Sequence, residues 1–201
     1  MNRIYIALFR RLWFVFNKRN YKKLGRNSFI KNPLIITPKF ISISDNVFVQ
    51  PNARIEGIKS YEGISFDPHI EIGENCTIQQ NLHLTCAQSV FVGKNTAIAS
   101  NVTITDINHP YENIDLPIEK QALQVTPVSI GEDCKIYNNA VILPGTKIGK
   151  HCVIGANSVV FGSFFDYSIV VGAPAKTIKR YCFDSASWKK TDEKGNFLEL
   201  L

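Results

Sequence analysis

The first 40 residues contain no Asp and no Glu, although ten Lys or Arg lie between Arg3 and Lys39. The whole 201-residue chain carries a formal charge of +6, so the remainder stands near −4. So one-sided an arm suits a phosphate-rich partner, either nucleic acid or an anionic membrane face. A long uncharged run is also missing. Arg10 and Arg11 split the apolar opening MNRIYIALFRRLWFVFNKRN, and no small-residue cleavage site follows, which argues against a secretion signal and against a membrane span. What remains is an aromatic-rich basic helix fit to lie in a membrane interface or to pack on a partner chain. The five cysteines form no C-x-x-C pair, and a reducing cytoplasmic compartment, at most peripheral to the inner face of the membrane, is expected.

A repeat dominates the rest. From Ile130 the chain divides every six residues into IGEDCK, IYNNAV, ILPGTK, IGKHCV and IGANSV, each opened by Ile, with Cys134, Ala140, Thr146, Cys152 and Ser158 in the fifth place. The same template fits ISDNVF and VQPNAR from Ile43, IGENCT and IQQNLH from Ile72, and VGKNTA, IASNVT and ITDINH from Val92. A period of six is not helical, and plain alternation would not leave one large aliphatic residue per unit. It fits a parallel β-coil with three flat faces, in which the aliphatic residue points inward, the small fifth residue fills a corner, and Gly or Asn turns the backbone. Cys76, Cys134 and Cys152 all take the small fifth place and need no metal to explain them.

The phase breaks between Ile55 and Ile72, between Leu84 and Val92, and most widely between Ile104 and Ile130. A β-helix tolerates extra residues only by pushing them outward, so about residues 110–127 are expected as an exposed loop, helped by Pro110, Pro117 and Pro127. His109, in the sixth place of ITDINH, stands at the entry to that loop and is the candidate catalytic residue. A neutral imidazole, with a reference pKa near 6.5, can take the proton of a hydroxyl group as a new C–O bond forms.

The stretches ITDINHPYENIDLPIEKQ, VSIGEDCKIYNNAVILPGTKIGKHCVIGANSVV and VVGAPAKTIKRY resemble the hexapeptide-repeat acyltransferases, in particular the sugar O-acetyltransferases that include galactoside and maltose acetyltransferases. The resemblance spans about residues 40–181 and implies an all-β, left-handed parallel β-helix with a short basic N-terminal helix and an extruded loop. It divides the chain into a basic aromatic arm at 1–39, a β-helix at 40–180 and a tail at 181–201. It further implies a homotrimer with active sites between chains, acetyl-CoA as co-substrate, no metal, and His109 as the base in direct transfer to a sugar hydroxyl. Surface-polysaccharide or lipid-linked glycan assembly is the implied setting. Separately, the charge and aromatic content of residues 1–39 point to peripheral membrane contact, and no nucleic acid is expected as partner.

By the same resemblance Asn81 is expected at the acceptor. Asp106 is a further acceptor-side candidate, one whose carboxylate could orient the His109 imidazole, although the galactoside enzymes do not supply that residue. Coenzyme A is expected at Asn138, Gly155, Ala156, Lys176 and Lys179. Phe161 and Gly162 stand where many relatives have Thr-Lys, which moves the expected phosphate contact toward Lys176 or Lys179. Two other classes stay open at this stage: an N-acetyltransferase acting on an amino nucleotide-sugar, and a non-catalytic β-helix scaffold. A zinc trio of His69, His83 and His109 fails on spacing, with no close pair of ligands on one strand.

Overall fold

A computed structural model describes residues 3–198, with side chains from residue 10 onward. Thus the outermost part of the basic arm and the end of the 181–201 tail lie outside the described residues. The chain winds into a left-handed parallel β-helix with three sheet faces. The first face orders seven strands from Lys23–Leu24 to Ser163–Phe164, and the third orders six from Ile35–Ile36 to Val159–Val160. The second face begins at Phe29–Ile30 and ends in two antiparallel strands, Ala175–Cys182 and Ser187–Lys190.

Every unit that keeps the six-residue phase places its opening aliphatic side chain inside. Ile72, Ile78, Leu84, Val92, Ile98 and Ile104 are all buried, and so are Ile130, Ile136, Ile142, Ile148, Ile154 and Val160. Such stacking removes nearly the whole side chain from water, a stabilisation of roughly 1.5–3 kcal/mol per residue. The fifth-place residues do more than fill space. Cys76 Sγ donates to Gly93 O at 3.1 Å, Thr96 Oγ1 to Gly131 O at 3.0 Å, Cys134 Sγ to Gly149 O at 3.2 Å and Cys152 Sγ to Phe165 O at 3.2 Å. A small side chain with one donor therefore ties a corner carbonyl of the next coil, which explains why Cys and Thr recur there.

The fourth place of most units bends through the left-handed region that Asn tolerates best. One corner carries Asn52, Asn81, Asn101, Asn139 and Asn157, all with φ between 58° and 65°. Their amides form a continuous ladder: each Nδ2 donates to the next Oδ1 at 2.8–3.3 Å. Gly131 serves the tight stacking of coils at another corner, where an added Cβ would lie 2.6 Å from the Gly149 backbone.

The β-helix is longer than the expected 40–180. Residues 23–36, expected in the arm, form a first coil whose strands pair parallel with Ile41–Ile43, Phe48–Val49 and Arg54–Gly57. Leu24, Ile30 and Ile36 keep the spacing of six, but their units lack a consistently small fifth place. The helix itself is Arg3–Asn17. Trp13 meets Tyr21 and Phe29 ring to ring at 6.2 and 5.2 Å, and the Arg10 guanidinium lies 4.4 Å from the Phe48 ring centroid.

Replacing Asn139 by Val forces a β-branched residue into a left-handed backbone and breaks the ladder. Asn139→Val should lower the unfolding free energy by roughly 2 kcal/mol in urea titrations. Asn139→Gly, which keeps the backbone conformation accessible, should cost markedly less.

Candidate active site

Two insertions leave the β-helix and meet. The first follows Arg54–Gly57 and folds into a hairpin, with Ser60–Tyr61 antiparallel to Ile64–Ser65. The second leaves after Asp106 as an antiparallel ribbon, Ile107–Asn108 against Gln124–Val125, and contains a 3-10 turn at Ile118–Lys120. The loop thus begins about three residues earlier than the expected 110, because ribbon pairing takes over from the coil at Ile107. His109 belongs to the loop and not to the last unit of the coil. The insertions are clasped together: Tyr61 Oη donates to Glu119 Oε2 at 2.8 Å and lies 2.7 Å from Glu119 O, while Lys120 Nζ lies 3.1 Å from Glu62 Oε1.

Between this clasp and the outer face of the third sheet lies a cleft of about 450 Å³. Its floor is Arg54, His83, Thr85, Thr103 and Thr105, and its walls include Tyr61, His109 and Glu119. Strand register stacks the floor in two columns. Arg54, His83 and Thr103 align in one, and Glu56, Thr85 and Thr105 in the other, where Thr85 and Thr105 share a 2.9 Å hydrogen bond. Beyond Thr103 the first column continues as Val141 and Val159. The same row of the sheet therefore changes from polar to aliphatic at the tier from which the loop leaves.

His109 is 39% exposed at its side chain, yet its Nδ1 is buried and makes no hydrogen bond among the described residues. Glu119 Oε2 lies 3.8 Å from that atom, and the Tyr61 ring meets the imidazole edge-on with centroids 5.4 Å apart. Nε2 is left as the ring nitrogen available to a substrate. The bond to Glu119 raises the Tyr61 phenol to about 12, with lesser contributions from burial and from the nearby Glu119 and Glu62 charges. Partial burial, followed by the Arg54 guanidinium, pushes His83 below the usual imidazole range, opposed by Glu56. In its neutral form the His83 imidazole both gives and accepts a hydrogen bond.

Asp106 is not at the acceptor and does not orient His109. It is fully buried, and its carboxylate accepts hydrogen bonds from the backbone N–H groups of Ala87, Gln88 and Ser89 at 2.7–2.8 Å. These three groups sit in the overlong step between Leu84 and Val92, where the coil has two residues more than its ladder can pair. Burial, together with the Asp106 carboxylate, pushes the Cys86 thiol well up. Asn81 is likewise engaged elsewhere: it is a left-handed corner residue, its amide held between Asn52 and Asn101, and it does not line the cleft.

Of the positions expected to hold coenzyme A, three stack at one corner. Asn157 N donates to Asn138 O at 3.0 Å, and Gly155 and Ala156 occupy the turn beside it. Lys176 and Lys179 lie on the antiparallel strand, in register with Val171 and Ile169. Lys176 is paired with Glu193. None of the five residues lines the His109 cleft. No group of three or more His, Cys, Asp or Glu suited to a metal occurs among the described residues.

Of the cleft-lining positions not singled out from the sequence, three carry a periodic signal. Arg54, His83 and Thr103 are all sixth-place residues of units that fall on one face, and counting phase by threes would have stacked them. Tyr61 sits in the gap between Ile55 and Ile72, but nothing local connects it to Glu119, 58 residues away.

Asp106→Ala would remove the acceptor of three backbone N–H groups, that of Ala87 buried and those of Gln88 and Ser89 part-buried, so we expect destabilisation of roughly 3 kcal/mol. Chemical denaturation reads this, and turnover per folded molecule separates it from a loss at the site.

The family model described as bacterial transferase hexapeptide (six repeats) matches residues 127–162. The putative lipopolysaccharide biosynthesis O-acetyl transferase WbbJ of Escherichia coli is 37% identical over 60% of this chain, and the match spans 65% of WbbJ, just under two thirds of its length. A galactoside O-acetyltransferase of Lactococcus lactis is 30% identical over 90% of this chain and 89% of its own. A solved galactoside acetyltransferase in complex with coenzyme A is 26% identical, with a TM-score of 0.59 covering 80% of this chain and 72% of that one.

Proposed function

This chain belongs to the hexapeptide-repeat acetyltransferase family, and from that premise we propose that it transfers an acetyl group from acetyl-CoA directly to a sugar hydroxyl. The observation that carries the reading is the placement of His109, which leaves the coil into a walled cleft with one ring nitrogen buried beside a carboxylate and the other available. His109 takes the hydroxyl proton as the oxygen attacks, a role that its Nε2 fits without a covalent enzyme intermediate. The hydroxyl-rich floor of Thr85, Thr103 and Thr105, with His83 beside it, suits the hydrogen-bonding groups of a sugar. Acetyl-CoA supplies an already activated thioester; its amide-rich arm is assigned to the edge at Asn138, Gly155 and Ala156, and its phosphates to Lys176 and Lys179.

The edge that would hold coenzyme A and the cleft that holds His109 share no residues within one chain. That separation supports a homotrimer whose sites lie between neighbouring chains. Similarity to WbbJ supports surface-polysaccharide or lipid-linked glycan assembly as the setting. The N-terminal helix supports peripheral contact with an anionic membrane. Trp13 and Arg10 face the β-helix, while Leu12, Val15 and Phe16 are exposed at 48%, 57% and 75%, interleaved with exposed Arg11, Lys18 and Arg19. No described helix is long and apolar enough to cross a membrane.

Sugars and nucleotide-sugars incubated with acetyl-CoA and scored by thiol release identify the acceptor. On the best acceptor, His109→Ala should lower kcat by roughly 100-fold or more with the fold intact, as loss of a general base implies; near-normal turnover defeats the assignment. The triple variant Leu12→Ser, Val15→Ser, Phe16→Ser should lose sedimentation with anionic vesicles while keeping turnover of a soluble acceptor. Unchanged sedimentation would remove the membrane role.

A further inference from the structure

We propose that Glu119, clamped by Tyr61, is the positioning residue for His109, and that filling the cleft closes the gap between His109 Nδ1 and the Glu119 carboxylate. The inference rests on the reading of His109 as the base. A buried imidazole nitrogen without a partner is costly, because the desolvation of that atom is uncompensated. Nδ1 of His109 is in that state, and the acceptor nearest to it is Glu119 Oε2 at 3.8 Å. This is about 1 Å too long for a charge-assisted hydrogen bond of roughly 2.8 Å. Catalytic pairs of this kind commonly tighten to hydrogen-bond distance in the substrate complex.

The carboxylate is not free to turn away. Tyr61 donates to the same Oε2 at 2.8 Å, and it comes from the other insertion, so the two loops must move together for the clamp to release. The Tyr61 ring also rests edge-on against the imidazole, which limits ring rotation. Once Nδ1–H is given to Glu119, the neutral tautomer has its lone pair on Nε2, the atom that meets the acceptor hydroxyl. The carboxylate then also steadies the imidazolium formed when that proton arrives.

Other charged or titratable groups around the site are already engaged or lie on the floor. Glu56 is paired with Arg54, Glu62 with Lys120, and His83 lies on the strand across the cleft. Among the described residues Glu119 is thus the carboxylate in ion-pair range of His109. Asp106, three residues before His109, is committed to the backbone of residues 87–89.

The test uses the full chain, acetyl-CoA and the acceptor that gives highest thiol release, with folding of each variant checked by circular dichroism. Glu119→Gln should lower kcat roughly 10- to 100-fold, a part of the roughly 100- to 10,000-fold that a positioned general base contributes. Both KM values should stay within about twofold, and the acidic limb of kcat/KM should move to lower pH, since the imidazolium loses its neighbouring charge. Tyr61→Phe keeps the charge and removes the clamp, so it should give a smaller fall in kcat with the limb in place. In ¹⁵N spectra His109 should favour the Nε2 lone-pair tautomer in the native chain, and lose that preference in Glu119→Gln. A Glu119→Gln variant with native kcat, or with lowered kcat but an unmoved limb and unchanged tautomer, overturns the positioning role. If His109→Ala remains active, the base assignment fails first, so the two failures are told apart.

Discussion

A parallel β-coil with a solid core has no room for an extra residue on its inside. Each inward aliphatic side chain rests on those of the coils above and below, and each strand finds its partner at a fixed offset, so one added residue would turn every following side chain to the wrong face. Extra chain must leave outward and return to the same register. That constraint accounts for the site: the 57–68 hairpin and the 107–126 loop project from different tiers and close against each other over the third sheet. The smaller excess after Leu84 is handled differently. Instead of projecting, it is held against the coil by the buried carboxylate of Asp106.

What was legible in the sequence follows from periodicity. The aliphatic ladder, the small fifth place, the turn-forming Asn residues and the presence of a loop near His109 are all local or strictly periodic, so they appear as a pattern of residue types. The first coil was hidden because Leu34 stands where a small residue is usual, and because one extra residue separates Ile36 from the next unit at Ile43. The role expected of Asp106 fails for a physical reason. A carboxylate close in sequence to a histidine suggests a dyad, but alternation along the strand turns the two side chains to different surroundings, and three unpaired N–H groups claim the carboxylate first. The residue that does approach the imidazole, Glu119, is ten positions away, and its restraint by Tyr61 depends on how two loops fold back.

The third sheet divides its outer surface by tier. Arg54, His83 and Thr103 give way to Val141 and Val159 along one unbroken register. Since the backbone is the same throughout, the chemical variation along this face resides in single outward positions spaced by one turn of the coil. Each can change without cost to the core, because its inward neighbours carry the packing. A scaffold of this kind separates the demands of folding from those of recognition more fully than one in which site residues also pack the interior.

The second face does not end as it runs. After Ser168–Gly172 the chain reverses, and Ala175–Cys182 and then Ser187–Lys190 pair antiparallel to what precedes them. A bare terminal coil would present a ready template of unpaired donors and acceptors to the first coil of another molecule, and repeated pairing of that kind makes fibres. The reversal offers the wrong strand direction on this face, and the Arg180 guanidinium, between the rings of Phe165 and Phe197, fastens the tail over it. At the other end Trp13 of the basic helix packs onto Tyr21 and Phe29. Among the described residues the β-helix is therefore a run of one repeat flanked at each end by a segment that does not repeat, and on the second face the last of these offers a following coil no parallel strand to pair with.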